Sequence, residues 1–148
     1  MENEIVIIKS YLRNYTRYKS LIDEKKGNLE LIDKRLEDLN YPKSVSYDSI
    51  PSSSTKSLDS RIIELVSNRW EAEEDIKYYS SIISKCDRIM NSLEDGDRWL
   101  LNEWYIIRKC KNWDTFCQSN NYSSSGMTKK LNAILKRAIC HLSICDKV

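Results

Sequence analysis

The sequence predicts an all-α protein: a long antiparallel, coiled-coil-like helical hairpin followed by a small C-terminal helix-turn-helix. Three observations lead there. The 148 residues include only three Gly and two Pro, too few for the turns of a sandwich or barrel. Two long stretches repeat apolar residues with alternating spacings of three and four. The last third abandons that repeat for short amphipathic segments punctuated by capping residues.

The first repeat places Ile8, Tyr15, Ile22, Leu29 and Leu36 at one seam position and Tyr11, Tyr18, Lys25, Ile32 and Leu39 at the other. The second does so with Leu58, Leu65, Ala72, Tyr79, Cys86 and Leu93, and with Ile62, Arg69, Ile76, Ile83 and Met90. A seven-residue beat keeps an apolar stripe facing a partner helix and favours a left-handed supercoil. Each helix would run to about 35 residues, roughly 50 Å at 1.5 Å per residue. Lys25 and Arg69 interrupt the stripes and are expected to meet acids or to extend their charges out of the seam. Residues 40–57, with Pro42, Pro51 and many serines, read as a loop that ends helix propagation and lets the chain turn back. Pairing between chains, as a dimer or a ring, satisfies the same stripes and stays open. The tyrosines Tyr11, Tyr15 and Tyr18 read as seam residues.

Glu94-Asp-Gly-Asp reads as a break, with Gly96 a C-cap candidate and Asp95 or Asp97 an N-cap for the next helix. Trp99, Leu100, Trp104, Ile106 and Ile107 then form an expected apolar face, closed by the positive run Arg108-Lys-Cys-Lys. Asn112 is expected to cap a short helix carrying Trp113, Phe116 and Cys117. Asn120-Asn121 suits a tight turn, because asparagine tolerates the left-handed conformation. Ser123 opens a last helix with Met127, Leu131, Ile134, Leu135 and Ala138 on its buried side. A short helix, a tight turn and a second helix with a polar leading face make the layout of a helix-turn-helix.

In that layout the candidate DNA-binding residues are Ser123, Ser124, Ser125, Thr128 and Asn132, which can reach base edges, with Lys129, Lys130, Lys136, Arg137 and Lys111 as phosphate partners. From Ser123 to His141 there are four basic residues and no acid. Charge divides the chain likewise. Residues 1–94 hold 15 basic and 17 acidic side chains, and residues 95–148 hold nine and five. A basic end on an acidic stalk suits phosphate binding at one end, so the expected organisation is a helical hairpin over 1–94 and a DNA-binding unit over 95–148.

The C-terminal segment resembles sigma-factor region-four domains and, more closely, the RinA/ArpU group of small phage regulators. Leu100, Leu101 and Tyr105 match that group's first block, Trp113 its second, and Tyr122-Ser123 its turn. The resemblance implies a phage or prophage transcription regulator acting at promoters in the bacterial cytoplasm. The last helix would read DNA, and the long helices would mediate self-association or contact with RNA polymerase. Two other readings use the same residues: a small terminase subunit, which would form a ring, and a helical module that docks on a host protein.

Other classes find little support. No Walker loop, GxGxxG, HExxH or GxSxG occurs, and the single His141 has no evident acidic partner, so neither an enzyme nor a cofactor is expected. The acidic cluster Glu71-Ala-Glu-Glu-Asp reads as an outward helix face. The five cysteines include no CxxC, and Cys140, His141 and Cys145 fit no common zinc spacing, so reduced core thiols are expected instead of a metal site. No apolar run is long enough for a membrane span, and the acidic N-terminus does not read as a signal peptide.

Overall fold

Asn14 divides what the repeat predicts as one long first helix. Its backbone N–H and its side-chain Nδ2 both donate to the Ser10 carbonyl, at 3.1 and 2.8 Å. A computed structural model describes residues 2–39 and 58–146, with the side chains of Leu58 and of residues 143–146 left aside. The loop expected at 40–57, the Leu58 seam position and the Cys145 thiol therefore lie outside the described residues. The elements are α1 (Glu2–Arg13), α2 (Tyr15–Asp38), α3 (Leu58–Asn91), α4 (Asp95–Leu101), a π-helical segment continuing it (Asn102–Ile107), α5 (Trp113–Ser119) and α6 (Ser124–Asp146). No strand occurs among the described residues, and no helix there is long and apolar enough to cross a membrane. Packing groups Tyr18–Ser81 as one compact unit and Met1–Arg17 with Ile82–Val148 as the other. The boundary at residue 94 marks something else, the change in charge and in helix length.

In the unit 18–81, α2 and α3 lie side by side. Tyr18 stacks on Tyr79 with ring centroids 5.3 Å apart, Lys25 Nζ sits 3.3 Å from Asp75, and Arg69 Nε sits 3.3 Å from Asp33 and 3.4 Å from Glu73. As position rises along α2 its partners fall along α3, so the two helices run in opposite directions. The polar residues that interrupt the apolar repeat thus each face an acid on the other helix. Ile32, Leu36 and Val66 form the core, with Ile62 and Leu65 packed against it. Val66, which the repeat does not single out, is more deeply buried than its neighbour Leu65, a seam residue.

In the second unit, α1 packs on the π-helical segment and on α6. Its sealed residues are Ile5 and Leu12, whereas the seam residues Ile8 and Tyr11 stay half-exposed. The seven-residue beat registers one apolar stripe; α1 carries a second that faces the C-terminal helices. Ile82, Cys86, Ile89 and Met90 of α3 join the same core. Tyr15 Oη donates to Asp87 at 2.7 Å, and burial with that bond pushes the phenol up to about 12. Burial, then the Asp87 charge, pushes the Cys86 thiol up to about 12, and burial raises Cys117 as well. These two thiols are core residues, but Cys140 is exposed and Cys110 half-buried, which corrects the expectation of uniformly internal cysteines.

The α3–α4 junction and the segment 99–107 also depart from expectation. Gly96 is no C-cap; it lies in the first turn of α4, whose preceding residue Glu94 is extended and makes no side-chain cap. The end of α3 closes locally, through Ser92 and Leu93, and also from a distance. Arg98 donates from Nε to the Met90 carbonyl at 2.9 Å and from Nη2 to the Leu93 carbonyl at 2.8 Å. A cation bonded to the last carbonyls also suits the negative end of the helix. The expected apolar face is rotated too: Leu100, Leu101, Trp104 and Tyr105 are buried, while Trp99 and Ile107 are about half exposed. The wider π turn shifts every later side chain relative to an α-helix. The segment ends at Arg108, which takes the left-handed conformation (φ 51°) and places its guanidinium 5.0 Å from the Trp104 ring centre.

Candidate nucleic-acid interface

Local chemistry sets both ends of the turn that precedes α6. The Asn112 side chain accepts from the Thr115 N–H at 3.1 Å, capping α5. Trp113 meets Trp104 edge-on at 4.8 Å between centroids, and Phe116 lies 5.0 Å from the same ring, so α5 is pinned to the π-helical segment by aromatic contact. At the other end Asn120 Nδ2 donates to the Phe116 carbonyl at 2.8 Å, and Asn121 adopts φ 62°. That left-handed residue lets the Tyr122 N–H reach back to the Cys117 carbonyl at 2.9 Å.

Ser123 begins α6 as its cap. Its Oγ accepts from the Gly126 N–H at 3.0 Å, and its carbonyl accepts from Met127 at 2.8 Å. Gly126, costly inside a helix by roughly 1 kcal/mol against alanine, has a steric reason here. A Cβ at that position would stand 2.9 Å from Ser123 Oγ, and moving the hydroxyl away would undo the cap. Trp113 Nε1 donates to Ser124 Oγ at 2.8 Å and ties α5 to the first turn of α6.

Met127, Leu131, Ile134, Leu135 and Ala138 are all buried, so one side of α6 faces the core. The opposite side, spaced by four, seven and eleven residues, carries exposed Ser125, Lys129 and Lys136, with half-buried Asn132 beside them. The other sequence-predicted residues are placed differently. Ser124 is held by Trp113, and Thr128 Oγ1 donates to the Ser124 carbonyl at 3.0 Å. Lys130 Nζ lies 3.5 Å from one oxygen of Asp97, and Arg137 Nη2 lies 3.1 Å from the other. Lys111 is exposed but stands in the connector before α5.

The cationic surface is therefore partly neutralised by one carboxylate of α4, only 14% exposed. Sequence spacing names Asp97 as a helix cap and does not reveal this pairing, because its partners lie 33 and 40 positions away. The bare hydroxyl and the ammonium groups that remain can donate to phosphate oxygens and base edges. No cluster of three or more metal-ligating side chains occurs among the described residues.

Comparison with models of known protein families, with curated proteins and with solved structures gave no match.

Proposed function

We propose that the chain is a sequence-specific DNA-binding regulator of the phage or prophage type, with α5, the turn 120–123 and α6 acting as its helix-turn-helix. One observation carries the reading. The side of α6 opposite its buried stripe is bare, acid-free from Ser123 to His141, and presents Ser125, Lys129 and Lys136. A helix held by its other face, with small donors at its leading end and cations along its length, fits the major groove. In this reading Ser125 approaches base edges, and Lys129, Lys136 and Lys111 neutralise phosphates; the Asn132 Oδ1 is buried and takes no part. The antiparallel, coiled-coil-like α2–α3 pair is the part that would mediate self-association. The protein acts at promoters in the bacterial cytoplasm, where RNA polymerase is the expected partner.

The test is fluorescence anisotropy with duplex DNA across a salt series. Affinity should fall steeply with salt, and Lys129→Glu with Lys136→Glu should weaken binding strongly at every salt concentration. Losing two phosphate contacts lowers the slope of log affinity against log salt by about 1.8. Both side chains are exposed, so the melting temperature should hold. Binding that is absent at low salt, or unchanged in the double variant, would overturn the proposal.

A further inference from the structure

Three cations stand together where the π-helical segment passes into α5. Arg108, Lys109 and Lys111 are all exposed, and Cys110 among them is half-buried, its thiol donating to the Asn112 carbonyl at 3.4 Å. Among the described residues no acid pairs with any of the three, their sequence neighbours Glu103 and Asp114 included. Arg98, Lys130 and Arg137, by contrast, are each held by a carboxylate. The backbone at Arg108, with φ 51°, is uncommon for a long side chain. Its guanidinium lies over the Trp104 ring, 5.0 Å from the centre, which fixes the plane of the fork. A residue kept in an uncommon conformation while its charge stays unpaired points to a ligand outside the chain.

Aromatic contacts fix where this cluster stands relative to α6. The Trp104 ring that carries Arg108 meets the Trp113 ring at 4.8 Å, and Trp113 Nε1 donates to Ser124 Oγ in the first turn of α6. Ser124 and Lys130 are six positions apart, which puts them on opposite flanks of the buried stripe. Asp97 therefore neutralises one flank of α6, and the unpaired cations of the connector stand beyond the other. We infer that Arg108, Lys109 and Lys111 form a second grip on the sugar-phosphate backbone of a DNA duplex, on the strand that borders α6 on its Trp113 side. The inference deepens the DNA-binding reading and rests on it. A major groove is about 12 Å wide, so a helix lying in it has phosphates close on both sides. The duplex carries one such charge per roughly 1.7 Å of axis, enough to meet a cluster only two ring contacts away from α6. Lys109 and Lys111 supply mobile ammonium groups. Arg108, steadied by Trp104, offers paired N–H donors to a single phosphate.

The experiment is fluorescence anisotropy of the full chain with a duplex of arbitrary sequence, about 30 base pairs long, over a salt series; phosphate contacts need no operator. Circular dichroism melts accompany each variant. Lys109→Gln with Lys111→Gln should lower the slope of log affinity against log salt by about 1.8, as the loss of two phosphate contacts does. Both lysines are exposed, so this variant folds whatever Arg108 contributes. Arg108→Asn should lower the slope by about 0.9 while the melting temperature holds, because asparagine accepts the left-handed backbone, as Asn121 does at φ 62°. A purely structural Arg108 would give the reverse, a lower melting temperature and an unchanged slope. Joining the lysine pair to Lys129→Gln and Lys136→Gln should lower the slope by about 3.6, since the two groups touch different phosphates. A wild type that does not bind at low salt removes the DNA-binding reading and this inference with it. Wild-type binding that the Lys129 and Lys136 changes weaken, but whose slope the lysine pair of the connector leaves unchanged, overturns this inference alone.

Discussion

Asp97→Asn isolates the part of the α6 surface that the fold itself neutralises. Its two carboxylate oxygens hold Lys130 at 3.5 Å and Arg137 at 3.1 Å. The carboxylate is 14% exposed, but the cations are 33% and 63% exposed, so solvent screens their side of each pair. Exposed pairs of this kind contribute about 0.2–1 kcal/mol each, which sets the loss of folding stability near 1 kcal/mol. The gain appears in DNA binding. Each cation freed to neutralise a phosphate steepens the slope of log affinity against log salt by about 0.9. Between about 50 and 200 mM salt, the drop in affinity grows by about 3.5-fold for one such contact and about 12-fold for two. Anisotropy titrations of wild type and variant on the same duplex, at four or more salt concentrations, measure it. The expected outcome is tighter binding at low salt with the steeper slope. An unchanged slope would mean that Lys130 and Arg137 face away from the duplex. A shallower one would mean that Asp97 holds the cations in place for binding, and either result refutes the reasoning.

Gly27 lies within α2 with nothing within 4 Å of where a Cβ would stand, so Gly27→Ala should stabilise the chain by about 0.5–1 kcal/mol, read as a higher denaturation midpoint. Maleimide labelling of the folded protein near neutral pH should modify exposed Cys140 and spare Cys86 and Cys117, whose thiols are buried and shifted upward; rapid labelling of Cys86 would contradict its burial. Tyr15 keeps its proton in the folded chain up to about 12, whereas in the unfolded chain it loses it near 10. The unfolded state therefore binds fewer protons between those values, and stability falls as pH rises through them. Tyr15→Phe should flatten that alkaline loss in urea titrations, and an identical pH profile would show that the Asp87 bond does not hold the proton.

What the sequence reveals here is what depends on near neighbours. Asn112 and Ser123 cap because their side chains reach an N–H three residues on, and Asn121 takes the left-handed turn for reasons internal to its own residue. The buried stripe of α6 follows helical periodicity, and so does the emergence of Lys129 and Lys136 on the far side. The heptad likewise locates Ile32 and Leu36 in the α2–α3 core. The failures share a cause of the opposite kind. Part of the cap on α3 comes from Arg98, beyond the helix it closes, and Gly96 only looked like a stop signal. Beyond Leu101 the buried face turned because a π turn adds a residue, which no local propensity marks. Asp97 neutralises part of the candidate surface through partners brought close only by tertiary packing. In α1, one repeat concealed two buried directions, because a periodicity reading tracks a single stripe.

The two charged interruptions on α2 and α3 act as a key for alignment. Slipping the helices by one heptad would set Arg69 against Lys26 or Asn40 in place of Asp33, and Lys25 against Asn68 or Ile82 in place of Asp75. A parallel, in-register pairing of two copies would set Lys25 against its own duplicate and Arg69 against its own. An all-apolar seam would tolerate each of these misalignments, and the pair of mixed-sign contacts penalises them all, so fidelity of zippering is written at two positions.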